Sequence, residues 1–216
     1  MSILGKRLEA FLQACAGTAY TEGPDSIVFH SAIAKSVWEK VKPFFLPLED
    51  KTVLDVGCAN GFAVEMFIAE GFKVTNVTGI TCSQADANEA YERGLKNVVC
   101  WDMHVIRDTV DRREPGARLD LVWARHVMEH TPVPLYVLQD IHLILRPGTG
   151  KLYVEVPAPD TACRHTTNVN HYSCFERNGW EGLFDKAGFT PIMSFDVQVT
   201  VPAGEDRYYC WLLGLK

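Results

Sequence analysis

No C-x-x-C pair occurs in this chain, although it holds seven cysteines: Cys15, Cys58, Cys82, Cys100, Cys163, Cys174 and Cys210. An odd, scattered set argues against a disulfide framework or a zinc knuckle, and for free thiols in a reducing compartment, the cytoplasm. Long apolar runs are missing too. Stretches such as FIAEGF and YYCWLLGL end well short of the roughly 20 residues of a membrane span, and Arg7 and Glu9 break up the apolar part of the N-terminal stretch, against a signal peptide. Positive charge is in deficit: 21 Lys and Arg face 27 Asp and Glu, a net charge of −6. That balance offers no general attraction to phosphate, so nucleic acid is disfavoured as a partner. The nearest approach to a basic patch, IRDTVDRREPGAR from Ile106 to Arg118, has acids that nearly match its bases and reads as a solvated loop. There is no internal repeat, no low-complexity tract and nothing that specifies an oligomeric state.

What is present is ordinary globular composition, 47% hydrophobic and 22% charged over 216 residues, enough for one domain with a full core. From Thr52 onward, short apolar runs alternate with helical periodicity, the one-dimensional form of α/β architecture. The strand candidates are TVLDVG, KVTNVTGI, KNVVCWD, LDLVWARH, KLYVEVPAP, PIMSFDVQVTV and DRYYCWLLGL. The first, fourth and fifth are nearly continuous apolar runs, as in strands buried on both faces of a parallel sheet. Helices fall between them: Ser83 is placed as an N-cap, and Gly71, Gly94 and Gly188 as stops. Only PAGED separates the last two strands, which is hairpin chemistry. The expected fold is an α/β three-layer sandwich, a Rossmann-like, seven-stranded, mostly parallel sheet ending in an antiparallel hairpin. Ahead of it, Ile33, Val37 and Val41 at helical spacing, bounded by Pro43, predict a helix. Residues 1–50 are therefore expected to form a helical or lid segment and residues 51–216 the main domain.

The stretch TVLDVGCANGFAVEMF, from Thr52 to Phe67, carries the most chemistry. A strand that runs straight into a helix must turn tightly, and Gly57 and Gly61 permit that turn while letting backbone approach a ligand. Asp55 discriminates among ligands. A pyrophosphate on the glycines would be repelled by a carboxylate two residues ahead of them, and the spelling is not G-x-G-x-x-G, which disfavours a nicotinamide oxidoreductase. A carboxylate there suits a ligand with an amino group beside a sulfonium, the chemistry of S-adenosylmethionine. VLDVGCANG resembles motif I of the class I S-adenosylmethionine-dependent methyltransferases, with Ala59 where glycine is commoner. VTGITCSQ, CWDM, LDLVWARHVMEH, LRPGTGKLYVEVP and HYSCFERNGWEGLFDKAGF follow in the order that family has them. The resemblance spans Lys51 to Lys216.

What the resemblance implies is a methyltransferase with S-adenosylmethionine as cofactor, held by Asp55, Gly57, Cys58, Ala59, Gly61, Thr81, Gln84, Asp102, Met103 and Arg125. Thr81 and Gln84 stand where many members have a ribose-gripping acid, and Asp102 and Met103 are placed at adenine. Methyl transfer from a sulfonium needs alignment and exclusion of water, and a base only for a protonated acceptor. Candidates for that base are His126, Glu129 and His130 just past the fourth strand, and His171 past the fifth, on the carboxyl edge where open α/β sheets bind ligands. The same four residues admit two other readings. One is scaffold packing; the other is a divalent-metal set resembling that of metal-dependent small-RNA 2′-O-methyltransferases. No resident metal is assigned. Tyr20, Phe29, Trp38, Tyr172, Phe175 and Trp180 are candidates for an acceptor pocket, residues 19–30 for a lid, and His104 and His142 for exposed positions. The expected activity is O- or N-methylation of a small molecule. The alternatives are an inactive cofactor-binding partner subunit, from another class, and a metal-dependent RNA 2′-O-methyltransferase.

Overall fold

The computed structural model describes residues 6–7, 10–11, 24–113 and 118–216. Cys15, Tyr20 and the first part of the expected lid lie outside the described residues. Strand β1 (Val53–Val56) is buried along its whole length, because it lies between two parallel neighbours, β2 (Val77–Thr81) and β4 (Leu121–Arg125). Outside these lie β3 (Val98–Cys100), next to β2, and β5 (Lys151–Pro157), next to β4. Strands β6 (Phe189–Val201) and β7 (Gly204–Leu215) form the antiparallel hairpin, and β7 inserts between β5 and β6, giving the order β3-β2-β1-β4-β5-β7-β6. The strand order reverses at β1, so the loops after β1 and β4 diverge and leave a crevice at their carboxyl ends.

Successive strand residues point to opposite faces, and this period of two divides the core. Val53, Leu121, Trp123 and Tyr153 pack on one side with helices α1 (Pro24–Val41), α2 (Phe62–Ala69) and α3 (Gln84–Glu92). Leu54, Val122, Val154 and Trp211 pack on the other with α4 (Ile106–Arg113), α5 (Pro134–Ile144) and α6 (Arg177–Ala187). Three layers result, as the apolar pattern requires. The Ser83 hydroxyl accepts from the Asp86 amide at 3.2 Å to cap α3, and Gly188 closes α6 at a φ of 89°.

Two local expectations need correction. The stretch from Ile106 is a helix as far as Arg113 rather than a loop, because Ile106 and Val110, four residues apart, both bury against the second face. The hairpin turn is tighter than PAGED implied: β7 begins at Gly204, leaving Pro202 and Ala203 between the strands. Among the aromatics considered for an acceptor pocket, Trp38 and Trp180 are fully buried core residues, and the Trp38 ring lies 5.1 Å from that of Phe67. Tyr172 and Phe175 remain exposed. No described helix is long and apolar enough to cross a membrane.

Candidate functional site

The turn after β1 alternates handedness: Gly57, Ala59 and Gly61 have φ of 74°, 46° and 88°. A side chain at Gly57 would place Cβ 2.5 Å from Val127 Cγ2, and one at Gly61 would sit 2.8 Å from Leu95 Cδ1. The amides of Gly57 and Cys58 both donate to the Ile80 carbonyl at 2.9 Å. The glycines are thus demanded by handedness and by close protein neighbours, and the first two amides tie the turn to β2 rather than facing a ligand. A sequence shows the glycine but not what presses on it.

Asp55 lines a cavity of about 110 Å³ together with His30, Ser31, Cys58, Ala59, Arg125 and His126. Its side chain is buried, and Oδ2 has no hydrogen-bond partner. Burial pushes this carboxyl up to about 7, with Arg125 pulling the other way. An orphaned carboxylate oxygen beside a small cavity fits a ligand that brings a cation, so the residues present suit the amino and sulfonium groups of S-adenosylmethionine.

The remaining expected cofactor residues lie along the same edge. Thr81, at the end of β2, is buried, and its hydroxyl accepts from the Ser83 amide at 3.2 Å. Gln84 is exposed and donates to Asn88 Oδ1 at 2.8 Å. Asp102 Oδ1 accepts from the His104 amide at 2.9 Å and lies 2.6 Å from His104 Nδ1, while Met103 is half-buried beside it. His104 is therefore not the exposed residue the sequence suggested. Its ring bridges Asp102 and the Thr131 hydroxyl, at 2.8 Å, which satisfies both nitrogens in the interior.

The ends of β4 and β5 hold a buried charge network. Arg125 Nη2 donates to Glu155 Oε1 at 2.6 Å, Arg125 Nη1 donates to the His30 carbonyl at 3.2 Å, and Tyr153 Oη donates to Glu155 Oε2 at 2.8 Å. His126, at a left-handed φ of 48°, turns its Nε2 to within 3.0 Å of Glu155 Oε1 and its Nδ1 to within 3.5 Å of Glu129 Oε1. Burial opposes the charge on this imidazole, but Glu129 and Glu155 outweigh burial and push it up to about 9. Burial equally opposes the charge on Glu155, and Arg125 with His126 holds it well below the usual carboxylate range. The Tyr208 ring closes over His126 at 4.4 Å, and His30 meets it at 4.9 Å. Sequence reasoning missed Glu155, His30 and Tyr208. An acid in the middle of the apolar run KLYVEVP was the available signal, since a carboxylate survives in a buried strand only when paired.

Of the four catalytic candidates, the fold brings three together. Ligand atoms of Glu129, His130 and His171 lie within 4.8 Å of one another. The amides of Tyr172 and Ser173 donate to the Glu129 carbonyl at 2.8 and 3.0 Å, which carries His171 onto the short 3₁₀ turn Met128–His130. His130 Nδ1 donates to the Asn170 carbonyl at 2.8 Å, so Nε2 is the ring nitrogen that this bond leaves unused. Glu129 Oε2 and His171 Nδ1 are buried without partners. Burial pushes His171 down to about 4, so its ring is neutral at physiological pH. His126 stands between that cluster and the charge network, with Nδ1 toward Glu129 and Nε2 toward Glu155 on β5.

A family model described as a methyltransferase domain matches residues 30–193. The tRNA U34 carboxymethyltransferase of Mannheimia succiniciproducens is 29% identical over 185 residues, covering 81% of this chain and 56% of the relative. The chain thus spans about half the length of the curated relatives it matches. Among solved structures, magnesium protoporphyrin IX methyltransferase from Synechocystis with bound S-adenosylmethionine superimposes with a TM-score of 0.62 at 15% identity, covering 90% of this chain and 86% of that one. An S-adenosylmethionine-dependent methyltransferase from Archaeoglobus fulgidus gives 0.62 at 16%, covering 84% and 94%. Relatives named for tRNA overturn the expectation of a small-molecule partner with nucleic acid disfavoured. The physical reason is that a net charge of −6 is a sum over the chain, which adds together the acids and bases of different faces. The sum does not report the one face that meets a partner.

Proposed function

This chain belongs to the S-adenosylmethionine-dependent class I methyltransferases, and on that premise we propose that it carries a methyl group from this cofactor to a nucleotide of tRNA. The likeness to tRNA U34 carboxymethyltransferases over 81% of the chain carries this reading of the acceptor. Such an enzyme would work in the cytoplasm, in keeping with the scattered free cysteines. Asp55, Gly57, Cys58, Ala59 and Arg125 hold the cofactor at the cavity, with Gly61, Thr81, Gln84, Asp102 and Met103 along the carboxyl edge. Within residues 1–50, α1 covers that cavity through His30 and Ser31; residues 51–216 supply the sheet.

The cofactor supplies an electrophilic methyl on a sulfonium, so the chain's own residues need to align, exclude water and remove a proton. His126 is already protonated at neutral pH and cannot serve as base; its charge is used in holding Glu129 and Glu155. The proton is taken by the neutral His171, whose ring meets that of His130 at 4.9 Å and whose ligand atom lies within 4.8 Å of Glu129. His171→Ala is expected to lower kcat by about 10²- to 10⁴-fold while leaving the dissociation constant for S-adenosylmethionine unchanged, as read by single-turnover kinetics beside calorimetry. A matching loss of cofactor affinity would assign His171 to binding instead. The acceptor is tested by incubating the protein with methyl-labelled S-adenosylmethionine and either total tRNA or a tRNA-free metabolite fraction. Ribonuclease-sensitive label in the first supports tRNA; label confined to the second sinks it.

A further inference from the structure

A second cluster of ligating side chains stands between the segment after β5 and the start of β7. Cys163, His165 and Asp206 each offer one ligand atom, and these atoms all lie within 4.8 Å of one another. Asp206 is buried, and His165 Nε2 lies 3.0 Å from its Oδ2. Backbone bonds build this arrangement: Ala158 N donates to the Arg207 carbonyl at 2.8 Å and Ala162 N to the Glu205 carbonyl at 3.2 Å. Arg164, at a left-handed φ of 50°, reverses the chain so that both its neighbours reach Asp206.

We propose that Cys163, His165 and Asp206 bind one divalent transition-metal ion of the zinc class, which fastens the loop after β5 to the hairpin. Sulfur, nitrogen and oxygen donors together suit zinc, whereas magnesium and calcium take oxygen ligands. Three protein ligands leave a fourth position for water. The charges match as well: one thiolate and one carboxylate sum to −2 and neutralise a dication. On binding, the S–H bond breaks, a sulfur–metal bond forms, and the proton leaves to solvent. The His165 ring stacks on His171 at 5.5 Å and 11°, so the ion would steady a residue of the site without touching it.

This proposal does not depend on the acceptor. Its test uses the full chain, treated with chelator and then titrated with Co²⁺. A thiolate-to-cobalt charge-transfer band that saturates at one ion per chain and is displaced by Zn²⁺ is the expected result. Cys163→Ser should remove the band from a protein that still melts like the parent. Asp206→Asn should weaken binding by at least about 10-fold, the cost of disturbing even an outer partner of a metal ligand. His171→Ala should retain the band, since the Glu129 cluster contains no sulfur. A folded protein that shows no such band with cobalt in excess, or a band that survives Cys163→Ser, overturns the site.

Discussion

Asp55→Asn is expected to lose about 10- to 100-fold in affinity for S-adenosylmethionine, the worth of a hydrogen bond to a charged group, while the free protein becomes more stable at pH 8. Both effects have one cause. The carboxyl of Asp55 is buried with Oδ2 unpartnered, and burial pushes it up to about 7. Between an ordinary carboxylate value and pH 7 the folded state holds a proton that the unfolded state has released, so stability falls as pH rises through that window. Asparagine has no charge to bury, so this contribution is missing from its stability curve there. A cationic ligand reverses the balance, because it prefers the ionised acid; affinity of the parent protein should therefore rise between pH 6 and 8, and binding near pH 7 should release protons. Calorimetry with the cofactor, alongside thermal melts at pH 6 and 8, checks all three. An asparagine variant that binds the cofactor as tightly as the parent would remove Asp55 from the site.

Glu155→Gln should destabilise the protein by about 3–5 kcal/mol, because it leaves buried partners without their counter-charge, and lower Tm by roughly 6–20 °C in a chain of this size. Glu155 is fully buried and is the shared partner of Arg125, His126 and Tyr153. The loss has a pH signature. His126 is raised to about 9 in the folded protein, so its contribution is complete below the ordinary imidazole value and disappears as pH climbs from there to about 9. The gap between parent and variant should be widest near pH 6.5 and narrow toward pH 9. The residual gap belongs to Arg125, which stays charged throughout. A gap that does not change over this range, measured by melts at matched ionic strength, would show that His126 takes no part in the network.

Much of the frame was legible because it is written in short-range chemistry. Alternation and apolar continuity located all seven strands, and Ser83 and Gly188 marked helix ends through local bonds and handedness. The failures also have local explanations. Ile106 and Val110 were overlooked amid charged neighbours, although two apolar residues four apart suffice to bury one stripe of a short helix. Glycines in the β1 turn were recognised, but Val127, the residue that presses on Gly57, is 70 positions away.

The sequence by itself determined the strand, turn and helix around Asp55 and the order of elements, since period, turn chemistry and capping act over a few residues. Tertiary structure alone decided which histidine is which. Parallel pairing of β4 with β5 sets Arg125 opposite Glu155, and that pairing turns the adjacent His126 into a buried cation, while the loop bonded to Glu129 brings up His171 as a neutral ring. Protonation follows burial and the charges within a few ångströms, which gather from positions as far apart as His126 and Glu155, 29 residues, and Glu129 and His171, 42 residues.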